Sequence, residues 1–114
     1  MLSAEDARKK MIKVSWKGNS KLKEEYEIRK KLQLHKIEEE INVAVLQERN
    51  SVSHLFKPEE FQRMRDAANR EDEFWKAALD LLLDIKATLR SYGYTADDGF
   101  NMFYQDRHLI QITW

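Results

Sequence analysis

The sequence predicts a mainly helical protein that ends in a β-hairpin, a fold of the α+β class. Residues 71–92 place apolar side chains at three- and four-residue steps, which is the spacing of one face of an α-helix. Residues 21–49 keep a helical pattern without glycine or proline. Near the C-terminus, apolar residues alternate with polar ones in two short runs, the pattern of paired strands. The two long helices are expected to pack together.

The composition is that of a helix-rich protein with one domain, which we take to span residues 1–114. Three glycines and one proline leave few places for turns, and this favours long helices over many short strands. The absence of cysteine excludes disulfides, thiolate metal sites and cysteine nucleophiles. No apolar run reaches the length of a membrane span, and the N-terminus lacks the apolar core of a secretory signal. A cytoplasmic compartment is therefore expected.

The net charge is zero, but the charges are unevenly distributed along the chain. Residues 1–36 hold eleven Lys and Arg against five Asp and Glu, and residues 37–114 hold nine against fifteen. The two halves could attract each other inside one folded domain. Alternatively, they could form complementary poles that dock with a partner, such as a second copy. A nucleic-acid partner is not favoured, because a neutral domain lacks the broad basic footprint of such proteins.

Two helices are predicted in the first half of the chain. Ser3 can accept a hydrogen bond from the amide of Asp6, which predicts the start of a short helix over residues 4–15. A glycine-containing break follows. Ser20 is then the predicted cap of a long helix over residues 21–49.

The long helix carries apolar side chains on two sides and therefore needs two covers. One side holds Leu22, Tyr26, Leu34, Ile37, Ile41 and Ala44, and one of the two covers is expected to be the 71–92 helix. The opposite side holds Ile28, Leu32, Val43 and Leu46. The second cover could be the N-terminal helix, the hairpin or another subunit. A sustained coiled coil is not expected, because the heptad register is not kept along the helix.

The segment between the long helices is interpreted as a connector over residues 51–56, followed by a short helix over 58–68 that begins at Pro58. The 71–92 helix is expected to end at Gly93, in the position after the C-cap. A second apolar row on this helix predicts that several neighbours cover it; the row consists of Trp75, Leu79 and Leu83.

The hairpin is predicted after a turn at residues 94–99. Its strands are placed at residues 100–104 and 110–114, on either side of a polar tetrapeptide. Two strands alone are marginal in water, so the hairpin must pack an apolar face on a helix. The chain ends on Trp114, which is expected to be a core or interface residue.

The polar residues predict no catalytic or metal site. The three histidines, His35, His54 and His108, lie in different predicted elements without ligand spacing. His35 and Glu39 are one helical turn apart and would supply at most half a metal site. No glycine-rich phosphate loop, nucleophile elbow or zinc motif is present. The sequence therefore predicts a non-enzymatic protein without a cofactor.

Four short motifs resemble those of a group of small proteins encoded by tailed bacteriophages. That group opens with Ser/Thr-Ala-x-Glu/Asp-Ala-Arg, carries isoleucines at turn spacing in a charged helix, ends a later helix with Leu-x-x-x-Gly-Tyr, and closes on a strand ending hydrophobic-x-Trp. Here the motifs are Ser3-Ala4-Glu5-Asp6-Ala7-Arg8, Lys36-Ile37-Glu38-Glu39-Glu40-Ile41, Leu89-Arg90-Ser91-Tyr92-Gly93-Tyr94 and Ile112-Thr113-Trp114. Residues 51–70 depart from the pattern and look like an insertion. The resemblance implies a phage origin, action in the virion or the host bacterial cytoplasm, and no catalytic residues.

Together these observations predict a phage protein-interaction module, with a small virion or assembly component as the leading hypothesis. An inhibitor of a host enzyme or defence protein is the alternative. A third is a nucleic-acid-binding regulator, whose affinity would fall steeply with ionic strength. The candidate interface residues, each of which could instead fill the domain's own core, are Trp16, Ile28, Leu32, Val43, Leu46 and Trp114.

Overall fold

The computed structural model describes residues 3, 4, 16–98 and 108–114. It confirms the mainly helical class with a C-terminal hairpin. The predicted helix over residues 4–15 and the predicted strand over 100–104 lie essentially outside the described residues. The described elements are α1 (Ser20–Leu46), β1 (Ser51–Phe56), a 3-10 helix (Pro58–Phe61), α2 (Gln62–Ala67), α3 (Glu71–Ser91), β2 (Thr95–Asp98) and β3 (His108–Thr113).

The three strands form one antiparallel sheet with β3 in the centre, in the order β1-β3-β2. One face of the sheet packs against the helices, with Ile110 and Ile112 of β3 fully buried there. Helix α1 contacts β1, and α3 contacts β2. The fold therefore has two layers, and the core lies between the helices and the sheet.

The interpretation of residues 51–56 as a connector is wrong, because they form strand β1 along the whole of β3. Alternate residues of β1 face the core, and His54 and Phe56 are buried while Ser53 is exposed. The buried histidine stands where an apolar residue would have completed the alternation. That is why the period of two was not recognised.

The hairpin is confirmed, but its first described strand is β2, where the sequence predicted a turn. Ala96 is the buried residue of this strand and pairs with Ile112 of β3. The other β2 residues are exposed and mostly polar. A four-residue strand that buries one alanine has no detectable apolar alternation.

The helices follow the predicted pattern with shifted ends. Asn19, not Ser20, caps α1, since its Oδ1 accepts from the amide of Leu22 at 3.2 Å. The Asn19 Nδ2 also donates to the Ala67 carbonyl at 2.8 Å and to Glu73 Oε1 at 2.6 Å. Asn19 therefore joins the start of α1 to the end of α2 and the first turn of α3.

The first of the two apolar sides predicted for α1 faces the core: five of its six residues are buried and Leu34 is partly buried against the core. The helix ends at Leu46, three residues earlier than predicted. The predicted short helix is a 3-10 turn that starts at Pro58, followed by α2. On α3, the residues that meet this core are Phe74, Ala77, Leu81, Ile85 and Leu89.

Both long helices end in the same type of C-terminal turn. At the end of α3, the Tyr94 amide donates to the Leu89 carbonyl, and Gly93 takes the left-handed conformation at φ 92°. At the end of α1, the Arg49 amide donates to the Ala44 carbonyl, and Glu48 takes the left-handed position at φ 58°. Glu48 therefore carries a steric cost at a position that favours glycine.

Glu48→Gly is expected to raise the free energy of unfolding by about 0.5–1 kcal/mol, because glycine removes this steric cost. Gly93→Ala is expected to lower it by about 1 kcal/mol. A Cβ at Gly93 would meet no atom within 4 Å, so the loss would come from the backbone conformation alone. Urea denaturation measures both changes. Gly18→Ala is the control, because Gly18 does not have a positive φ. If Gly18→Ala lowered the free energy of unfolding as much as Gly93→Ala, the explanation would be contradicted.

Candidate interaction surface

The second apolar row of α3 is exposed, contrary to the expectation that neighbours cover it. Trp75, Leu79 and Leu83 follow one another at four-residue steps and are 58%, 51% and 53% exposed. The sheet and α1 meet α3 on its other side, and no described element covers this row. We call these three residues the α3 row.

The side chain of Trp75 is exposed but held in place. Its Nε1 donates to Glu71 Oε1 at 3.2 Å, and Glu71 is also paired with Arg65. The Arg65 guanidinium lies 4.3 Å from the ring centre of Phe74 and 5.3 Å from that of Trp75. Because these contacts restrict the indole before any partner binds, its burial would cost less conformational entropy.

A small apolar pocket of about 120 Å³ adjoins the α3 row. This volume is below the roughly 300–1,000 Å³ of typical small-molecule sites. Its size and apolar walls suit one inserted aliphatic or aromatic side chain. Trp75 belongs to both features, and the other apolar residues of the pocket include Phe56, Phe61, Phe74, Ala78 and Leu82.

A charged cluster lies beside this pocket, where His108 lines the wall. Lys86 Nζ donates to Asp98 Oδ1 at 2.6 Å, and His108 Nε2 lies 2.9 Å from the same oxygen. The hydrogen bond from Lys86, followed by that from His108, holds the pKa of Asp98 below its usual value. The ionised carboxylate thus keeps the largely buried Lys86 paired.

The Asp98 cluster predicts a loss of stability in acid. Since the pKa of Asp98 is lower in the folded protein, its stabilising effect is present above about pH 3.8 and is lost as the pH falls through the folded-state value. Asp98→Asn should reduce the acid-induced drop in unfolding free energy by roughly 0.5–1 kcal/mol, because solvent screens this exposed carboxylate. Urea unfolding at pH 7 and pH 3 measures the drop.

Asp97→Asn is the matched control for this experiment. It removes the same charge from the next residue, which pairs with Arg90 at 3.5 Å on the opposite face of β2. An acid-induced drop that is the same in the Asp98→Asn variant and in the unmodified protein would contradict the prediction.

The structure places the predicted interface residues in three separate locations. The residues of the outer side of α1 are exposed and do not join the α3 row; they are Ile28, Leu32, Val43 and Leu46. Trp114 is 37% exposed beyond the end of β3, with its ring edge-to-face against Tyr94 at 6.1 Å.

Trp16, in contrast, belongs to the core. It is 3% exposed, its Nε1 donates to Asp80 Oδ2 at 2.6 Å, and its ring lies 4.5 Å from that of Tyr26. Burial, followed by the hydrogen bond to Asp84, raises the pKa of Tyr26. The Tyr26 hydroxyl therefore stays protonated and donates to Asp84. These contacts join α1 and the segment before it to α3.

The half metal site predicted on α1 is an exposed pair, with His35 Nε2 at 3.0 Å from Glu39 Oε1. Within residues 16–98 and 108–114, no three His, Asp or Glu side chains are grouped to hold a metal ion. None of the described helices combines the length and the apolar character needed to cross a membrane.

The residues of the α3 row are recognisable in the sequence, but their pattern predicts that neighbouring elements cover them. Helix α3 carries two apolar stripes, but the fold covers it from one side only, so the second stripe is exposed. Coverage depends on the arrangement of the other elements, which the local pattern does not contain.

Comparison with family models, with curated proteins and with solved structures finds no match for this chain.

Proposed function

We propose that this chain is a protein-interaction module without enzymatic activity, and that it serves as a small virion or assembly component of a tailed phage. The observation that carries the interaction role is the exposed α3 row next to an apolar pocket. The phage setting rests on the resemblance of the terminal motifs. A second copy of this chain and another phage protein are both eligible partners.

The α3 row has the properties of an interface centre. Tryptophan is enriched among residues that dominate binding energy, especially where the side chain is fixed and becomes fully buried. Trp75 is fixed by Arg65 and Glu71 before binding, and two leucines extend the surface along the helix. A partner helix that lays an apolar stripe along the row could also insert one side chain into the pocket.

Leu79→Lys should reduce the incorporation of this chain into virions, because a lysine in the middle of the row would be buried without a partner in the interface. The measurement is mass spectrometry of purified particles of the encoding phage. The unmodified chain is expected at many copies per particle, and the variant at least about tenfold below it, as a loss of about 1.4 kcal/mol would produce.

Two matched variants give this result its meaning. Gln62→Lys adds the same charge on an exposed turn of α2, where Asp66 can pair with it, and should leave incorporation unchanged. Leu32→Lys tests the outer side of α1 in the same way. Circular dichroism melting must show that each variant folds.

Each result then has a definite meaning. Virions that lack the unmodified chain would refute the virion role. If Leu79→Lys is incorporated normally and Leu32→Lys is not, the interface lies on the outer side of α1 and not on the α3 row.

A further inference from the structure

A buried histidine links the sheet to α1. His54 of β1 is 2% exposed, and both of its ring nitrogens meet oxygen atoms of α1 side chains. Its Nε2 lies 2.7 Å from Gln33 Oε1, and its Nδ1 lies 2.8 Å from Glu40 Oε1. The contact between the His54 ring and α1 is therefore made by polar atoms.

The orientation of the Gln33 amide is fixed by Glu60 of the 3-10 helix. Gln33 Nε2 donates to Glu60 Oε2 at 2.8 Å, and Lys36 Nζ donates to the same oxygen at 2.6 Å. Burial favours protonation of Glu60, but the hydrogen bonds from Lys36 and Gln33 outweigh it and hold its pKa below the usual value. An ionised carboxylate only accepts hydrogen bonds, so the Gln33 nitrogen must face Glu60 and its oxygen must face His54.

The hydrogen count at His54 follows from these orientations. Because Gln33 presents an oxygen, His54 Nε2 must carry a hydrogen atom. On the other side, Nδ1 faces a carboxylate oxygen at hydrogen-bond distance, so one more proton must lie between His54 and Glu40. Without that proton, a nitrogen lone pair would face a carboxylate charge in a buried site, which is unfavourable.

We propose that His54 is held as an imidazolium between Gln33 and Glu40, and that loss of its proton at alkaline pH releases the contact between β1 and α1. This makes the joint between the two layers of the fold a pH-sensitive clasp, independently of the interaction role proposed above. In an unfolded chain, a histidine loses its proton at roughly pH 6.5. With the imidazolium proposed for His54, the folded protein binds one more proton than the unfolded chain above that pH. Stability must therefore fall as the pH rises.

The charged groups around the clasp are compatible with this state. Lys36 and Arg49 line the same surface pocket as Glu40. Glu39 lines the same pocket but pairs with His35. On the far side of Gln33, Arg29 lies 4.0 Å from Glu60.

The surroundings of His54 in the sheet and of the Glu40 carboxylate also agree with a protonated His54. Across the sheet, His54 pairs with the apolar Ile110, and its ring meets Phe56 edge-on. Glu40 Oε2 is buried, and no described residue hydrogen-bonds to it. His54 is thus the described group that compensates the Glu40 charge.

The clasp is tested by urea unfolding between pH 6 and pH 9 on the full chain. The unfolding equilibrium constant should rise about tenfold per pH unit above roughly pH 6.5, until the folded protein also loses the proton. Glu40→Gln should largely abolish this rise, because an amide NH₂ can donate to the Nδ1 lone pair of a neutral His54. The expected rise in that variant is about twofold or less per pH unit.

Glu39→Gln is the matched control. It removes the same charge from the adjacent residue of α1, whose partner His35 is exposed, and exposed pairs contribute little. The control should keep the pH dependence of the unmodified protein. If the unfolding equilibrium constant rises equally with pH in the Glu40→Gln variant and in the unmodified protein, the proposal is overturned.

A second measurement reads the protonation state directly and needs no variant of the clasp. Long-range ¹H–¹⁵N correlation spectra at pH 7 distinguish an imidazolium, in which both nitrogens carry hydrogen, from a neutral ring. His35→Gln and His108→Gln assign the other two histidines. Two protonated nitrogens at His54 would support the clasp, and an unprotonated Nδ1 at pH 7 would overturn it.

Discussion

The structure depends on the burial of one stripe of α3 between α1 and the inner face of the sheet. Leu81 and Ile85 are fully buried, as are Ile110 and Ile112 of the central strand. At roughly 1.5–3 kcal/mol for each buried Leu or Ile, these few side chains supply much of the driving force for folding. The polar joints at Asn19, Trp16 and Tyr26 then fix the position of α1 relative to α3.

The sequence was sufficient to predict the elements whose residues repeat with a clear period. The inner side of α1, the extent of α3 and the turn at Gly93 were all found in this way, because each depends on local spacing or on one backbone conformation. Strand β1 was missed because a polar residue, His54, occupies a core position and is satisfied by residues 14 and 21 positions earlier. Strand β2 was missed because one buried alanine leaves no pattern.

The candidate site was predicted less well for a related reason. Exposure of the α3 row depends on which side of the helix the sheet covers, and no local pattern contains that information. The same argument applies to Trp16, whose indole is buried by Tyr26 and Asp80 from distant parts of the chain. The outer side of α1 was recognisable because its apolar residues lie opposite the six that recur at helical spacing on the buried side.

The strand order has a consequence for the way in which the chain folds. Strands β1 and β2 do not pair with each other, so both require β3, and the β1–β3 pairs join residues more than fifty positions apart. During synthesis, β1 leaves the ribosome long before its partner exists. A helical pair can form early from local contacts, whereas closure of the sheet must wait for a long-range encounter. Until then, Phe56 and the backbone groups of β1 have no strand to pair with, and this is the stage at which the protein is most exposed to misassembly.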